Sequence, residues 1–375
     1  MKILIVGAGL SGCTSARLLV ERGHDVTIFE RDTEIGGLCK SVFDENGFCF
    51  EVFGPHTFHS SNAVAIDFVK RFADFNGHRQ FKGMIIEDQL YPFPLSLETL
   101  KSFSDYSLIM EEISKNDGII DKRNFETACL SVFGKTLYNK FIKNYTQKMW
   151  GEPPCNLSAE WAPKRLRIDS EGENSVFGDE WQGLPIGGYS AFISRIIDGI
   201  SVHKYSVLEN FDISSFDVVA FSGRIDEYLN FQNGSLPYRS SRFYNIKEDW
   251  ECKRYGSINL PDHQQYIRKC NFTVMHGHNT DLNLVQYQES TGMENGSLPM
   301  YPISMPVNED LFQLYLEQIC TVNVCPIGRL GLYKYFDMDE AILCVMEMIS
   351  VIEEFPFLDK EARVAKINNV RQKDF

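Results

Sequence analysis

The chain of 375 residues has no apolar run long enough to cross a membrane, no CxxC pair and no low-complexity stretch. Its first apolar run, Ile3 to Val6, is soon interrupted by glycines and lacks the cleavage site of a signal peptide. We therefore expect a cytoplasmic protein whose ten cysteines are reduced and mostly buried. The apolar fraction of 43% is ordinary for a globular chain, and the length predicts two or three lobes.

The chain also lacks an excess of positive charge: its formal net charge is −14. Nucleic-acid binding usually needs a basic face, so this charge argues against DNA or RNA as a partner. An anionic substrate would have to be attracted by a local group of arginines, against the field of the whole molecule.

The N-terminal residues carry the clearest motif. Lys2 to Val6 predicts a buried parallel strand, and Gly7-Ala8-Gly9-Leu10-Ser11-Gly12 is a complete G-x-G-x-x-G before a helix. Its glycines allow a tight turn, close approach to a pyrophosphate and close helix packing. A second strand, Asp25 to Phe29, ends before Glu30, where an acid can meet a ribose hydroxyl. This pattern predicts a dinucleotide site but does not choose between NAD and FAD.

Gly36-Gly37 favours FAD. Glu30-Arg31 followed by Ile35-Gly36-Gly37 resembles the second glycine motif of the glutathione-reductase-like FAD proteins. Glycine at these positions lets the backbone approach a dinucleotide that a side chain would block. The two histidines in Gly54-Pro55-His56-Thr57-Phe58-His59 leave two interpretations open: satisfied polar side chains, or a His56 beside a flavin ring.

The rest of the chain is less specific. Residues 98–150 show helical periodicity, with Asn124 as a candidate cap, and their aromatic side chains suit either a core or a stacking wall. Residues 226–318 alternate short apolar runs with turns, which predicts an antiparallel sheet. We expect no metal site at His263, His276 or His278, because no carboxylate or cysteine lies at ligand spacing in the sequence. The segment from Gly328 to Asp339 precedes a predicted helix at Ala341 to Ile349 and suits a bound dinucleotide.

Further motifs follow in a fixed order along the chain. They are Tyr145-Thr146-Gln147-Lys148-Met149-Trp150-Gly151, Gln182-Gly183-Leu184-Pro185, Gly223-Arg224-Ile225-Asp226-Glu227, Tyr238-Arg239-Ser240, Pro261-Asp262-His263 and Gly328-Arg329-Leu330-Gly331 with Tyr335 and Asp337. Together with the N-terminal motifs, this series resembles the UDP-galactopyranose mutase family along nearly the whole chain.

The resemblance implies an α/β fold with a Rossmann-like, glutathione-reductase-like FAD-binding domain, an inserted helical domain and an antiparallel β-sheet domain. The expected limits are 1–78, 188–225 and 319–375 for a discontinuous FAD-binding domain, 98–152 for the helical domain, and 79–97, 153–187 and 226–318 for the sheet domain. It implies an isomerase that interconverts pyranose and furanose forms of a nucleotide sugar. The cofactor would be FAD in its reduced form, acting through a flavin N5–sugar adduct with no net redox. A homodimer is left open.

The family's roles carry over to matching positions in three groups. The residues expected at the cofactor are Gly7, Gly9, Ser11, Gly12, Glu30, Arg31, Gly37, Leu38, His56, Arg329, Asp337 and Met338. The residues expected to bind substrate are Phe141, Tyr145, Trp150, Arg165, Arg268, Tyr301 and Tyr335, with the arginines and tyrosines on the diphosphate. The residues expected to be catalytic are His56, Arg165, Arg268, Arg329, Tyr335 and Asp337.

Departures from the family pattern lie near the nucleotide and the sugar. Compared with the family pattern, one residue is inserted between Trp150 and the run Arg165-Leu166-Arg167-Ile168. Either Arg165 or Arg167 is therefore the expected phosphate ligand. A tyrosine usual in the family is replaced at Val176 or Phe177. The substrate is thus UDP-galactose or another UDP- or TDP-sugar. Two other classes stay open: an amine-oxidase-like flavin oxidoreductase, and a nucleotide-sugar-binding protein without catalysis.

Overall fold

The computed structural model describes residues 1–116, 118–159, 167–169, 175–206, 213–250, 252–278, 280, 282–294 and 296–375. The helices in these ranges are α1 (Leu10–Glu21), α2 (Ala63–Lys70), α3 (Leu97–Lys101), α4 (Tyr106–Ser114), α5 (Phe125–Leu137), α6 (Asn144–Trp150), α7 (Gly188–Ile196), α8 (Ile225–Tyr228), α9 (Phe272–Met275), α10 (Pro306–Ile319), α11 (Gly328–Gly331), α12 (Met338–Glu354) and α13 (Lys360–Arg371). A π-helical segment, Tyr138–Lys143, joins α5 to α6.

The strands of the described residues fall into two large sheets and two short antiparallel pairs. They are β1 (Lys2–Val6), β2 (Asp25–Phe29), β3 (Ser41–Phe43), β4 (Cys49–Glu51), β5 (Phe58–Ser60), β6 (Lys82–Ile86), β7 (Gln89–Phe93), β8 (Trp181–Gly183), β9 (Ser201–His203), β10 (Val218–Phe221), β11 (Tyr238–Ile246), β12 (Ser257–Asn259), β13 (Arg268–Asn271), β14 (Val285–Thr291), β15 (Tyr301–Pro302) and β16 (Val324–Pro326). The short pairs are β3 with β4 and β5 with β8.

The first large sheet is parallel throughout, in the order β16-β10-β1-β2-β9. Ile3, Leu4 and Ile5 in the central strand are 0% exposed, as expected for a strand covered on both faces. Helices such as α1 and α12 contribute to the apolar core around it. All the carboxyl ends of these strands lie at one edge, which is where open α/β sheets bind ligands. The structure confirms the predicted strands β1 and β2 and the predicted helix within α12.

The second large sheet has the order β15-β11-β14-β13-β12-β6-β7. Its pairs are antiparallel, as predicted, except that β12 and β6 run parallel. The antiparallel sheet predicted for residues 226–318 is confirmed, because the parallel pair involves β6, which lies outside that range. In this pair, the hairpin formed by β6 and β7, from an earlier part of the chain, joins the sheet next to β12.

The helical region between β7 and β8 confirms the predicted periodicity. Its own apolar core includes Leu100, Phe125, Phe133 and Phe141, all buried. Asn124 caps α5: its side chain accepts a hydrogen bond from the amide of Thr127, and the Thr127 hydroxyl accepts one from the amide of Asn124. The residue limits of the three proposed domains stay a prediction.

Within the described ranges, no helix has both the length and the apolar character that a membrane span requires.

The substitution Gly12→Ala tests how closely the start of α1 packs against the preceding turn. A Cβ at this position would lie 2.0 Å from the carbonyl oxygen of Gly7 and 3.3 Å from Ile5 Cγ2. Because the first of these atoms is backbone, the turn itself must move, and we expect Gly12→Ala to lower the free energy of unfolding by about 3 kcal/mol. Urea unfolding followed by circular dichroism measures this change.

The matched control for Gly12→Ala is Gly292→Ala. A Cβ there would meet only Arg239 Nη1 at 3.8 Å, an ordinary contact, so stability should stay within about 1 kcal/mol of wild type. Equal unfolding midpoints for the two variants would contradict the packing role of Gly12.

Candidate functional site

The two glycine motifs cross each other at the carboxyl ends of β1 and β2. The amide of Gly36 donates to the carbonyl of Ala8 at 2.9 Å, and Gly9 and Gly36 form an isolated parallel bridge. A Cβ on Gly37, whose φ is +53°, would lie 3.1 Å from the Cα of Gly9. Only glycine lets the two backbones come this close. We call this backbone contact the glycine crossing.

Two further segments meet the first glycine motif next to the glycine crossing. Gly7 has a φ of +100°, and a Cβ there would lie 2.2 Å from Ser222 Oγ, just after β10. A Cβ on Gly328, just after β16, would lie 2.8 Å from the Cβ of Ser11. The ends of β1, β10 and β16 are therefore packed together without room for larger side chains. This arrangement brings the chain near residue 328 back to the N-terminal turn.

Glu30 lies at the end of β2 and is 6% exposed. Its carboxylate accepts hydrogen bonds from the amides of Ala8 at 2.6 Å and Asp32 at 2.9 Å. Glu30 therefore stabilises the turn of the first glycine motif, and it lies at the strand end where we expected an acid to bind a ribose hydroxyl. The neighbouring Arg31 is exposed and Leu38 is half-buried.

His56 is a neutral histidine at the centre of the site. Burial, followed by the positive charge of Arg329, lowers its pKa to about 4, with Arg268 adding to this effect and Asp337 opposing it. Its Nδ1 atom is buried without a hydrogen-bond partner, while its carbonyl accepts from the Tyr189 hydroxyl at 2.5 Å. A buried ring nitrogen without a partner fits a bound polar group better than it fits a closed protein core.

Arg329 lies just beyond β16 and is fixed by neutral partners. It donates to the carbonyls of Phe336 at 2.6 Å and Met300 at 3.3 Å. Its guanidinium carbon lies 4.7 Å from the ring centre of Tyr335 and 5.9 Å from that of Tyr301. Since neither carbonyl carries a formal charge, the cation is not neutralised by these contacts.

Aromatic rings extend the site from Arg329 to α6. The rings of Tyr301 and Tyr335 are nearly parallel, at 20°, with centroids 6.1 Å apart, and Trp150 meets Tyr301 edge-on at the same centroid distance. The Tyr335 hydroxyl donates to Asp337 Oδ1 at 3.1 Å. These side chains are half-buried, so each keeps part of its surface open to a ligand.

Arg268, the first residue of β13, completes the group. Its Nε and Nη2 both donate to Gln288 Oε1, at 3.1 and 2.6 Å, and Gln288 Nε2 in turn donates to Ser241 at 2.9 Å. This chain sets the plane of the guanidinium. The hydroxyls of Tyr145, Tyr301 and Tyr335 are close enough to interact with it electrostatically.

Comparisons with known proteins decide the family. Residues 140–335 match the model of the UDP-galactopyranose mutase family, and residues 5–72 match an NAD(P)-binding Rossmann-like domain. The chain belongs to the UDP-galactopyranose mutase family.

Whole-length relatives agree with this membership. The chain is 30% identical to "Probable UDP-galactopyranose mutase" of Klebsiella pneumoniae, over 94% of both sequences. It is 28% identical to dTDP-fucopyranose mutase of Escherichia coli, over 96% of this chain and 100% of that one. A crystal structure of reduced UDP-galactopyranose mutase has the same fold, with a TM-score of 0.77, 18% identity and 99% coverage of both chains.

Of the residues expected to bind the substrate of a mutase of this family, Phe141 lies in the helical core, and Arg165 cannot be assigned a position. Phe141 is 1% exposed and packs against Tyr91 and Phe103 in the helical core, so it offers no face to a base in this structure. Arg165 lies outside the described residues. Arg167, the alternative phosphate ligand, donates to the carbonyl of Ser175 at 2.5 Å. The choice between the two arginines stays open.

The sequence analysis assigned His59 no role, yet the fold places it against Asp337 of the site. Its Nδ1 pairs with Asp179 at 2.8 Å, and its Nε2 lies 3.9 Å from Asp337. Phe177 stacks on the ring with centroids 3.5 Å apart, and the bond from His59 holds the pKa of Asp179 below its usual value. The motif containing His59 was the only available signal, because Asp179 lies 120 residues away.

Sequence spacing did not show that His276 lies beside a carboxylate and a cysteine from a distant part of the chain. The donor atoms of Cys49, Glu51 and His276 lie within 4.8 Å of one another. Glu51 Oε1 lies 3.2 Å from His276 Nε2. Burial raises the pKa of Glu51, and the contact with His276 opposes this rise. We describe this group as a buried acid–imidazole pair with a neighbouring thiol, joining the β3–β4 hairpin to the end of α9.

His56 gives a testable pH dependence. The folded protein keeps its imidazole neutral down to about pH 4, whereas the unfolded chain protonates it near the ordinary pKa of 6.5. The stability from the neutral ring is therefore complete above pH 6.5 and is lost as the pH falls from 6.5 to 4. Between pH 6.5 and 4, we expect the free energy of unfolding to fall by roughly 1–3 kcal/mol less in His56→Asn than in wild type. Urea unfolding across that pH range measures the difference.

A suitable control for His56→Asn is His203→Asn at an exposed position of β9, which should keep the wild-type curve. If wild type and His56→Asn lose stability in parallel below pH 6.5, His56 is not buried in its neutral form.

Proposed function

We propose that this protein interconverts the pyranose and furanose forms of a nucleoside diphosphate sugar, with FAD in its reduced form as cofactor. The observation that carries the proposal is that the charges of Arg268 and Arg329 both act on the ring of His56, with Tyr335 packed against Arg329. Of the two cations, Arg268 suits a diphosphate and Arg329 suits a reduced flavin ring, and the partnerless nitrogen of His56 suits a polar cofactor ring.

The cofactor is assigned to the edge of the parallel sheet. Its dinucleotide part would be held by the remaining members of the predicted set, which are Gly7, Gly9, Ser11, Gly12, Glu30, Arg31, Gly37, Leu38 and Met338. Close backbone approach at the glycine crossing and the N-terminus of α1 both favour a pyrophosphate there. When bound and reduced, the flavin supplies the nucleophile for exchange at the anomeric carbon without net redox.

His56 and Arg329 are assigned to the flavin end of this site. Arg329 places a cation where negative charge on a reduced ring is stabilised. His56 stays uncharged at neutral pH, so it can exchange hydrogen bonds with a ring without adding a second cation beside Arg329. Asp337 accepts a hydrogen bond from the Tyr335 hydroxyl at this end and is the N-cap residue of α12.

The diphosphate is assigned to Arg268, Tyr301 and Tyr335. Gln288 takes only one edge of the Arg268 guanidinium, whose five donors allow further bonds to phosphate oxygens. The Tyr335 hydroxyl must turn from Asp337 to donate to the same group. These donors stabilise the negative charge of the nucleoside diphosphate when its bond to the sugar breaks. Tyr145 and Trp150 line the nucleotide and sugar ends.

Two substrates are candidates. The family and the Klebsiella pneumoniae relative favour UDP-galactopyranose and UDP-galactofuranose. The second candidate is a dTDP-sugar, favoured by the full-length match to dTDP-fucopyranose mutase. A homodimer stays a prediction.

The test is turnover in both redox states of the flavin. The purified protein is reduced with dithionite, supplied with UDP-galactofuranose or dTDP-fucofuranose, and analysed for the pyranose forms by chromatography. We expect conversion of at least one substrate in the reduced sample and none in an oxidised control. Equal conversion in both samples would exclude the proposed cofactor state, and rapid bleaching of oxidised flavin by substrate would favour an oxidoreductase.

Arg268→Ala separates substrate binding from cofactor binding. Arg268 lies on β13 of the second large sheet, whereas the glycine crossing lies at the edge of the parallel sheet, so the variant should keep its yellow flavin. Turnover should fall by roughly 100-fold or more, because the phosphate loses a charge-assisted donor. Steady-state kinetics and the visible absorbance of bound flavin measure the two effects.

Arg242→Ala on β11 is the matched control for Arg268→Ala. Arg242 is exposed and pairs with Glu294 at 2.6 Å, so its loss should leave turnover near the wild-type value. Wild-type turnover in Arg268→Ala would show that the diphosphate binds elsewhere.

A further inference from the structure

Lys148 on α6 inserts its ammonium group into a ring of backbone carbonyls. Its Nζ donates to the carbonyl oxygens of His263 at 2.5 Å, Leu260 at 2.6 Å, Tyr266 at 2.9 Å and Pro261 at 3.1 Å. All four belong to the loop between β12 and β13, which we call the carbonyl loop (residues 260–266). An ammonium has three hydrogens, so four oxygens surround it as they would a small cation.

The carbonyl loop is shaped so that its oxygens point inward. The amide of Leu260 donates to the carbonyl of Ile267 at 2.8 Å, which closes the loop at its base. The ring nitrogen Nδ1 of His263 accepts from the amides of Gln265 and Tyr266, at 3.1 and 3.0 Å. These bonds hold the backbone of the loop in a conformation in which the four carbonyl oxygens face Lys148.

This contact differs from a surface ion pair. Lys148 is half-buried, and its four partners are neutral dipoles whose hydrogen bonds leave the positive charge in place. Burial lowers the pKa of Lys148 to about 8, while the nearby Asp262 opposes that effect. Four acceptors in a partly dry setting are costly to leave unpaired, so removing the ammonium affects the whole loop.

The two elements that Lys148 joins both carry or adjoin residues of the site described above. Helix α6 bears Tyr145 and Trp150, and the carbonyl loop leads within two residues to Arg268. We propose that Lys148 is a positioning residue for the nucleotide-sugar site: it sets the distance between the aromatic wall on α6 and the phosphate-binding Arg268. This inference rests on the proposed function for the identity of the ligand.

Helix α6 is also held by contacts that do not involve the Lys148 ammonium. The carbonyl of Met149 accepts from Arg239 at 3.1 Å and from Ser290 at 2.5 Å, which ties the helix to β11 and β14. Loss of the Lys148 contact therefore leaves α6 in place and releases the carbonyl loop, so the expected defect is local.

The test compares Lys148→Met with Lys143→Met, an exposed lysine of the preceding π-helical segment. Each variant is measured for UDP and dTDP affinity, for kcat and KM, and for amide hydrogen exchange over residues 260–268, with flavin bound. For Lys148→Met we expect KM and Kd to rise about tenfold or more, kcat to change much less, and exchange to speed up in the loop. Lys143→Met should match wild type, and Lys148→Arg, which keeps the charge, should lose less affinity than Lys148→Met.

Two outcomes overturn the positioning role: faster exchange with unchanged nucleotide affinity, or unchanged exchange and affinity in Lys148→Met. If Lys148→Met does not fold, Lys148→Arg supplies the same comparison. If wild type binds neither UDP nor dTDP, the proposed function fails. The exchange measurement then still shows whether Lys148 fixes the loop.

Discussion

The backbone contact between Gly9 and Gly37 determines where every other part of the site can lie. It joins the turn after β1 to the loop after β2, at the edge where the parallel strands end. Ser11 and Gly328 pack beside it, and Arg329 follows directly. Because the contact is made by backbone atoms, no side chain elsewhere can substitute for it. The position of Arg329 relative to the cofactor site thus depends on two glycines near the other end of the chain.

The charges of the site follow a consistent rule. Arg268 is oriented by the amide of Gln288, and Arg329 by two backbone carbonyls. By contrast, Arg224 outside the site forms a buried ion pair with Asp226 at 2.5 Å. A carboxylate neutralises the arginine that it orients, whereas an amide or carbonyl does not. In a chain with a net charge of −14, neutral partners keep these two arginines available for an anion.

Features set by neighbouring residues could be predicted from the sequence. The strand, turn and helix of the first glycine motif lie within the first residues of the chain, and Asn124 caps the helix that follows it. The pairing of His59 with Asp179, across 120 residues, has no such local pattern. Neither does the ring of carbonyls around Lys148, because backbone acceptors carry no sequence signal.

Phe141 shows the opposite limit of sequence reasoning. An aromatic residue at helical spacing fits a core and a ligand wall equally well, and only the packing of Tyr91 and Phe103 against it decides between them. The parallel pairing of β6 with β12 was likewise hidden, since it depends on which free sheet edge an early hairpin joins.

The order of the strands in the parallel sheet also has a consequence for how the chain is made. β1 pairs with β10, where Ile3 lies opposite Val218, and β10 pairs with β16 near the far end of the sequence. During synthesis, one edge of β1 stays without its partner until more than half of the chain has left the ribosome. An apolar strand edge exposed for that time can associate with other chains, and distant pairings form slowly. The nascent protein therefore depends on protection of its first strand, and the site is completed only when synthesis is nearly finished.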